Sequence, residues 1–270
     1  MQEDKPDDDD GTAIAGETNA EQNGPGPLSA VTRTGENALL TAPIPGLILC
    51  GIVALLVWGT LEVIMPVFQL PEHLRNLSGN APEEQQKEMM EASVDTNNKN
   101  ATLSLGMLAS TLGLCLTIAE VKSRRQGLRA IWAGPLAILI AGVVAVGGGI
   151  LGGILTGSSV LPEDPLTRTI IVQATMLGLV GLGVGSGVGL AVTLPMCRPR
   201  LLATCFVGGM LGGLLAGLVY PFAASILLPN ARTEVLMPDP GVSRLLWLAL
   251  LSSATALTLT GMGKEEKTGT

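Results

Sequence analysis

The apolar residues of this chain collect in six long blocks, each separated from the next by a more polar segment. The blocks show neither alternation with period two nor an apolar stripe on a polar background, so they do not predict a soluble domain. An α-helix needs about 20 mostly apolar residues to cross the hydrocarbon core, and the blocks reach or approach that length. The pattern predicts an all-α integral membrane protein, a bundle of about six transmembrane helices. The predicted spans are 44–68, 101–119, 131–157, 169–194, 201–228 and 245–262.

Two polar tails flank the predicted spans. Residues 1–43 are rich in Asp, Glu, Gly and Pro, and they include an unbroken run of acids from Asp7 to Asp10. Such a composition buries too little apolar surface to offset the entropy lost on folding, so we expect an acidic, disordered N-terminal tail. Residues 44–262 form the transmembrane domain, and residues 263–270 form a short C-terminal tail.

The loop at 69–100 is the largest segment between two predicted spans. Asn80 and Pro82, followed by two glutamates, are typical of a helix start, with a capping side chain and acids in the first turn. We therefore expect a short helix inside this loop that ends near Glu91.

Basic residues predict how the spans are oriented, because short cytoplasmic loops are enriched in Lys and Arg. They concentrate after the second span, after the fourth span and in the C-terminal tail, at Lys122, Arg124, Arg125, Arg129, Arg198, Arg200, Lys264 and Lys267. The loop after the third span instead sets Arg168 against Glu163 and Asp164. We expect both termini in the cytoplasm and the 69–100 loop outside, in a plasma membrane or a bacterial inner membrane.

Composition favours the lipid bilayer as the main partner and argues against nucleic acid. The chain is 47% hydrophobic and 14% charged. Its formal charge of −7 comes mostly from the N-terminal tail and the 69–100 loop, and no Lys/Arg stripe interleaved with aromatic residues is present. Besides the bilayer, the partners left open are other membrane proteins and a second copy of this chain.

The sequence offers no catalytic or cofactor-binding set. The four cysteines form no CxxC pair, and the single histidine, His73, lies in a polar loop. The glycine motif Gly147-x-Gly149-x-x-Gly152 lies inside an apolar run, whereas a nucleotide-binding motif would join a strand to a helix. We expect neither enzymatic activity nor a bound cofactor or metal.

Small residues recur at every fourth position in the third, fourth and fifth spans. Lipid tails are as apolar as Leu, so helices associate in bilayers through the close backbone approach that such rows permit. We predict that these rows are helix-packing faces, and that the third-span row contacts the fourth or fifth span. The third-span row begins with alanines from Ala133 to Ala145. The glycines of the rows are Gly149, Gly153 and Gly157, then Gly181, Gly185 and Gly189, then Gly209, Gly213 and Gly217.

Three residues interrupt the apolar spans and are candidates for a transport route. A carboxylate inside a membrane is costly and is a functional candidate for that reason, although Glu62 lies near the outer end of its span, where the cost falls. Gln173 is polar within the fourth span, and Pro221 after Tyr220 predicts a break in the fifth.

These features leave two functions open. One is a structural or partner-binding role, in which the N-terminal tail and the 69–100 loop are the exposed parts. The other is a transporter or channel for a proton or small solute that uses Glu62 and Gln173. In a transporter these two side chains would face each other across a polar cavity, whereas in the first case they would point to lipid, to the interface or to a neighbouring helix.

Overall fold

All regular structure in the described part of the chain is helical. The computed structural model describes residues 43–75, 81–123, 130–193, 199–229, 235–239 and 241–268. Within these residues there are seven α-helices and no strand. They are α1 (Pro43–Ile64), α2 (Glu72–Arg75), α3 (Glu83–Ser123), α4 (Ala130–Thr156), α5 (Pro165–Thr193), α6 (Pro199–Leu227) and α7 (Gly241–Thr268). The predicted tail at 1–43 lies outside the described residues except for Pro43.

Six of these helices, all except α2, are long and apolar enough to cross a membrane. They agree with the predicted spans in number and order, which confirms an all-helical chain with six helices of spanning length. Such helices point to a membrane location. α7 continues to Thr268, so the described part of the segment predicted as a C-terminal tail, from 263 onward, is helical.

Local chemistry explains several helix ends. α1, α5 and α6 each begin at a proline, whose missing N–H and fixed φ suit the first helical position. At the start of α5, the Asp164 carboxylate accepts hydrogen bonds from the Thr167 backbone N–H (2.8 Å) and hydroxyl (2.5 Å). These bonds hold the pKa of Asp164 below its usual value, and the bond from the hydroxyl lowers it most. α1 ends shortly before Pro66, which disfavours a helical residue ahead of it.

α3 is the largest departure from the sequence prediction. It runs without interruption for 41 residues, from Glu83 to Ser123. The short helix expected in the 69–100 loop and the span expected at 101–119 are therefore one element, and the predicted helix end near Glu91 was wrong.

Two features explain this continuity. From Glu83 there is no Gly or Pro to end the helix before Gly106, which lies in the apolar part. The polar part also contains two i,i+4 ion pairs, which stabilise a helix surface. They are Lys87–Glu91, with an N–O distance of 3.9 Å, and Asp95–Lys99, with an N–O distance of 2.7 Å.

The predicted break in the fifth span is also absent. Pro221 lies inside α6, which continues through it to Leu227. Pro135 is likewise inside α4. Both prolines are accommodated in continuous helices, as occurs in membrane helices where neighbouring helices satisfy the freed carbonyls.

The six long helices contact one another in a closed order. α1 packs against α3 and α7, α7 against α6, α6 against α5, α5 against α4, and α4 against α3. α5 also contacts α3. In its most apolar 18-residue stretch, 78% of the residues are buried inside the bundle, the highest share among the six long helices. α5 is therefore the central helix. We call the end of the bundle where α1 ends and α7 begins the Glu62 end.

Candidate functional site

The glycine rows of α5 and α6 lie directly against each other. A Cβ atom added at Gly209 would lie 2.8 Å from the Cα of Gly185 and 2.9 Å from its N, as well as against the carbonyl of Gly181. One added at Gly217 would lie 2.5 Å from the carbonyl oxygen of Gln173. Atoms this close leave no room for a side chain, so the two backbones approach as near as glycine allows.

The remaining glycines of these two rows have similar surroundings. A Cβ at Gly213 would meet the carbonyl of Leu177, and one at Gly189 would lie 3.0 Å from the Cβ of Cys205. The nearest neighbours of Gly181, Gly185 and Gly189 are therefore on α6, and those of Gly209, Gly213 and Gly217 are on α5.

The small-residue row of α4 contacts two different helices. Its alanine half lies between α5 and α3. Cβ atoms added at Gly183 and Gly187 in α5 would lie 2.9 Å from the carbonyl oxygens of Ala141 and Ala137, and one added at Gly113 in α3 would lie 3.1 Å from the Cβ of Ala141. Its glycine half faces α3, because a Cβ at Gly149 would lie 2.8 Å from the Cα of Thr102.

The prediction that Gly149, Gly153 and Gly157 pack on the fourth or fifth span was therefore wrong. A Cβ at Gly153 would lie 3.2 Å from the side chain of Asn98 in α3. Gly157 follows the end of α4, and a Cβ there would meet only the carbonyl oxygen of Ile154, at 3.8 Å. A row of period four drifts by about 40° per step around a helix of 3.6 residues per turn. The drift leaves the nearest neighbours of Gly149 and Gly153 on α3.

Glu62 forms an ion pair with Arg244 in the first turn of α7. The Nη1 of Arg244 lies 3.0 Å from the Oε1 of Glu62, and the side chains are 12% and 37% exposed respectively. A Cβ at Gly241 would lie 2.6 Å from the same Oε1, so glycine lets the carboxylate approach the start of α7. The indole of Trp58, one turn before Glu62, donates a hydrogen bond to the Gly241 carbonyl at 2.9 Å. The end of α1 is thus joined to α7 by polar contacts.

Gln173 is also bonded to α7, from the central helix. It is 1% exposed, and its Oε1 accepts a hydrogen bond of 3.1 Å from the indole Nε1 of Trp247, which is fully buried. Its Nε2 donates to the carbonyl of Val235 at 3.4 Å. Trp247 lies three residues after Arg244, so the partners of Glu62 and Gln173 are neighbours on α7.

Pro221 is buried in α6 beside a third polar contact to α7. The hydroxyl groups of Tyr220 and Ser243, both fully buried, lie 2.9 Å apart. Pro221 itself has no polar side-chain atom, and the polar contact at this point belongs to Tyr220.

Glu62 and Gln173 do not share either of the two cavities that the described residues line at this end of the bundle. A cavity of about 300 Å³ at the Glu62 end has Gln173 in its wall together with Glu163, Arg168 and Leu236, and Glu62 is not part of that wall. Arg168 donates hydrogen bonds through Nη2 to the carbonyls of Thr156 (2.6 Å) and Ser158 (3.0 Å) at the end of α4.

The segment 235–239 between α6 and α7 is folded back into the bundle. Leu236 is 2% exposed and Met237 is 5% exposed. The side chain of Asn97 in α3 pairs with the backbone of Met237 in both directions, accepting from its N–H at 3.3 Å and donating to its carbonyl at 3.4 Å. One turn further along α3, Asn100 pairs in the same way with the backbone of Phe68, at 3.0 Å for each bond. α3 therefore holds the chain that follows α1 and the chain that precedes α7.

Sequence analysis missed the partners in these contacts. The pairing of Arg244 with Glu62 could have been predicted, because Arg244 immediately precedes the sixth predicted span and Glu62 lies near the end of the first, so both have the same predicted depth. The amides of Asn97 and Asn100 gave no such signal, since polar residues in a predicted loop are ordinary. In the described residues, no group of three or more His, Cys, Asp and Glu side chains is arranged to hold a metal ion.

The fold is compatible with a polytopic membrane protein, and in it polar side chains of α1, α5 and α6 are bonded to α7. No known protein family, curated protein or solved structure matches the chain.

Proposed function

We propose that this chain is a polytopic membrane protein with a structural or partner-binding role and no enzymatic activity. The observation that supports this role is that Glu62 and Gln173, the two polar side chains suited to a transport route, are both bonded to α7. A side chain that passes on a proton or solute must release its protein partner to bind the proton or solute. The side chains of Glu62 and Gln173 instead bond to α7 and so join α1 and α5 to it. Polar bonds of this kind hold membrane helices together.

The polar half of α3 is the surface that we assign to a partner. A helix of 41 residues is about 60 Å long, roughly twice the hydrocarbon thickness. From Glu83 to Asp95 every residue except Ala92 is exposed. This segment contains five acids and one lysine, so its partner would present a basic surface. The acids are Glu83, Glu84, Glu88, Glu91 and Asp95.

The alternative function is a transporter or channel for a proton or small solute. The cavity beside Gln173 favours it, because about 300 Å³ is enough for a small molecule and Glu163 and Arg168 supply charge.

Proton flux in vesicles distinguishes the two functions. We expect reconstituted wild-type protein, under an imposed pH gradient, to dissipate the gradient no faster than protein-free vesicles do. Glu62→Gln and Gln173→Leu should leave this rate unchanged. Glu91→Gln, on the exposed part of α3, is the matched control. Flux through the wild-type protein that Glu62→Gln abolishes while Glu91→Gln does not would establish the transporter instead.

We also propose that both termini are cytoplasmic and that the polar half of α3 is outside, from the distribution of basic residues. A cysteine introduced by Lys87→Cys should react with a membrane-impermeant maleimide in intact cells. One introduced by Gln126→Cys should react only after permeabilisation, and the parent chain provides the blank. Labelling of position 126 from outside would reverse the topology.

A further inference from the structure

A groove of about 520 Å³ lies between α3 and α4 near the Glu62 end. Gly149 and Gly153 are among its lining residues; Gly149 is buried against Thr102, whereas Gly153 is partly exposed. The apolar side chains beside them are exposed, with Val146 at 37%, Ile150 at 54% and Ile154 at 63%. The groove therefore opens on the outer surface of the bundle, which in a membrane meets hydrocarbon.

The groove changes from polar to apolar along α3. Its polar end contains Asp95, Asn98 and Lys99, and its apolar part contains Leu103. Asp95 and Leu103 are eight residues apart, about 12 Å along a helix, which is the scale over which a lipid changes from head group to acyl chain. The charges at the polar end have opposite signs, lie 2.7 Å apart and are 61% and 55% exposed, so both remain accessible.

We propose that this groove binds one acyl chain of a zwitterionic phospholipid with a primary ammonium group, phosphatidylethanolamine. Its phosphate would pair with Lys99, and its ammonium would donate hydrogen bonds to Asp95. An anionic phospholipid would satisfy Lys99 but leave Asp95 beside a like charge. A choline head group has no N–H to donate. The inference rests on the membrane location of the chain and not on its structural or partner-binding role.

The acyl chain fits the other half of the groove. Gly153 is partly exposed and has no side chain, which leaves room beside it for an acyl chain, and Val146, Ile150 and Ile154 flank this space. Gly153→Leu would fill this space, since the position faces the groove and its only close neighbour is the flexible side chain of Asn98, at 3.2 Å.

Native mass spectrometry of the full-length chain in detergent tests the proposal. Phosphatidylethanolamine, phosphatidylcholine and phosphatidylglycerol are added in turn at equal concentration. We expect one phosphatidylethanolamine per chain, retained about fivefold better than phosphatidylglycerol, the ratio expected for one additional ion pair at a membrane surface. It should also be retained better than phosphatidylcholine, whose ammonium carries the charge but donates no hydrogen bond to Asp95. Asp95→Asn and Lys99→Gln should remove this preference, and Gly153→Leu should reduce retention of all three lipids.

The Lys87–Glu91 pair provides the matched control, because it has the same i,i+4 spacing on the same helix but lies outside the groove. Glu91→Gln and Lys87→Gln should keep the wild-type preference. Circular dichroism checks that each variant retains its helix content. Equal retention of the three lipids by the wild-type chain would overturn the proposal. So would a preference that survives Lys99→Gln and Asp95→Asn, or a dimer in place of the lipid-bound monomer.

Discussion

Gly209→Ala is expected to destabilise the helical bundle by about 2 kcal/mol or more, because overpacking against backbone that cannot move aside exceeds the gain in helix propensity. The added methyl group would lie 2.8 Å from the Cα of Gly185 and against the carbonyl of Gly181, so α5 and α6 would have to separate. Because α5 is the central helix, this separation would also disturb its contacts with α3 and α4.

The matched control for this substitution is Gly147→Ala in α4. A Cβ at Gly147 would meet nothing within 4 Å, so the substitution adds helix propensity without a clash. Thermal unfolding in detergent should show Gly209→Ala melting well below the wild-type chain and Gly147→Ala melting at or above it. If the two variants melt together, the glycine rows of α5 and α6 are not a packing face.

Glu62→Gln is expected to destabilise the protein by roughly 1–3 kcal/mol, less than the cost of breaking a fully buried ion pair because the carboxylate retains some contact with solvent. The substitution removes the carboxylate at 3.0 Å from Arg244, which is only 12% exposed, and leaves it the more distant and exposed carboxylate of Asp239, at 3.9 Å. Arg244→Gln should cost less, since Glu62 is 37% exposed and keeps part of its solvation. This expectation differs from that for a lone carboxylate near lipid, where removing the charge would be mild or stabilising.

A double-mutant cycle isolates the ion pair. The variant with both substitutions should lose less stability than the sum of the single losses, because neither charge is then left unpaired. Glu91→Gln removes a carboxylate from the exposed Lys87–Glu91 ion pair within α3 and should change stability by less than about 0.5 kcal/mol. Additive losses in the cycle would mean that Glu62 and Arg244 act independently in the membrane.

The sequence was sufficient to predict six helices of spanning length, because that property depends only on the length and apolarity of each block. It did not predict the extent of α3. Polar residues up to 100 suggested a loop whose short helix ends near Glu91, although the segment from 83 to 100 lacks helix breakers and has favourable charge spacing. The polarity of a segment reports its exposure to water and not its secondary structure.

The candidate site was predicted less completely, because its contacts join distant parts of the chain. Sequence analysis selected Glu62 and Gln173 as unusual residues, but 182 residues separate Glu62 from Arg244 and 74 separate Gln173 from Trp247. Periodicity indicates which face of a helix is small or polar, but it does not indicate which helix covers that face. The α4 row illustrates this limit, since its alanines contact both α5 and α3, whereas Gly149 and Gly153 have their nearest neighbours on α3.

The continuity of α3 has a mechanical consequence. A helix without Gly or Pro over its polar half is stiff, so a displacement imposed near Glu83 reaches Asn97 and Asn100 with little bending. These two amides hold the chain after α1 and the chain before α7. α3 therefore links its exposed polar half directly to the two connections at the ends of α1 and α7. A displacement of the polar half would move both connections together.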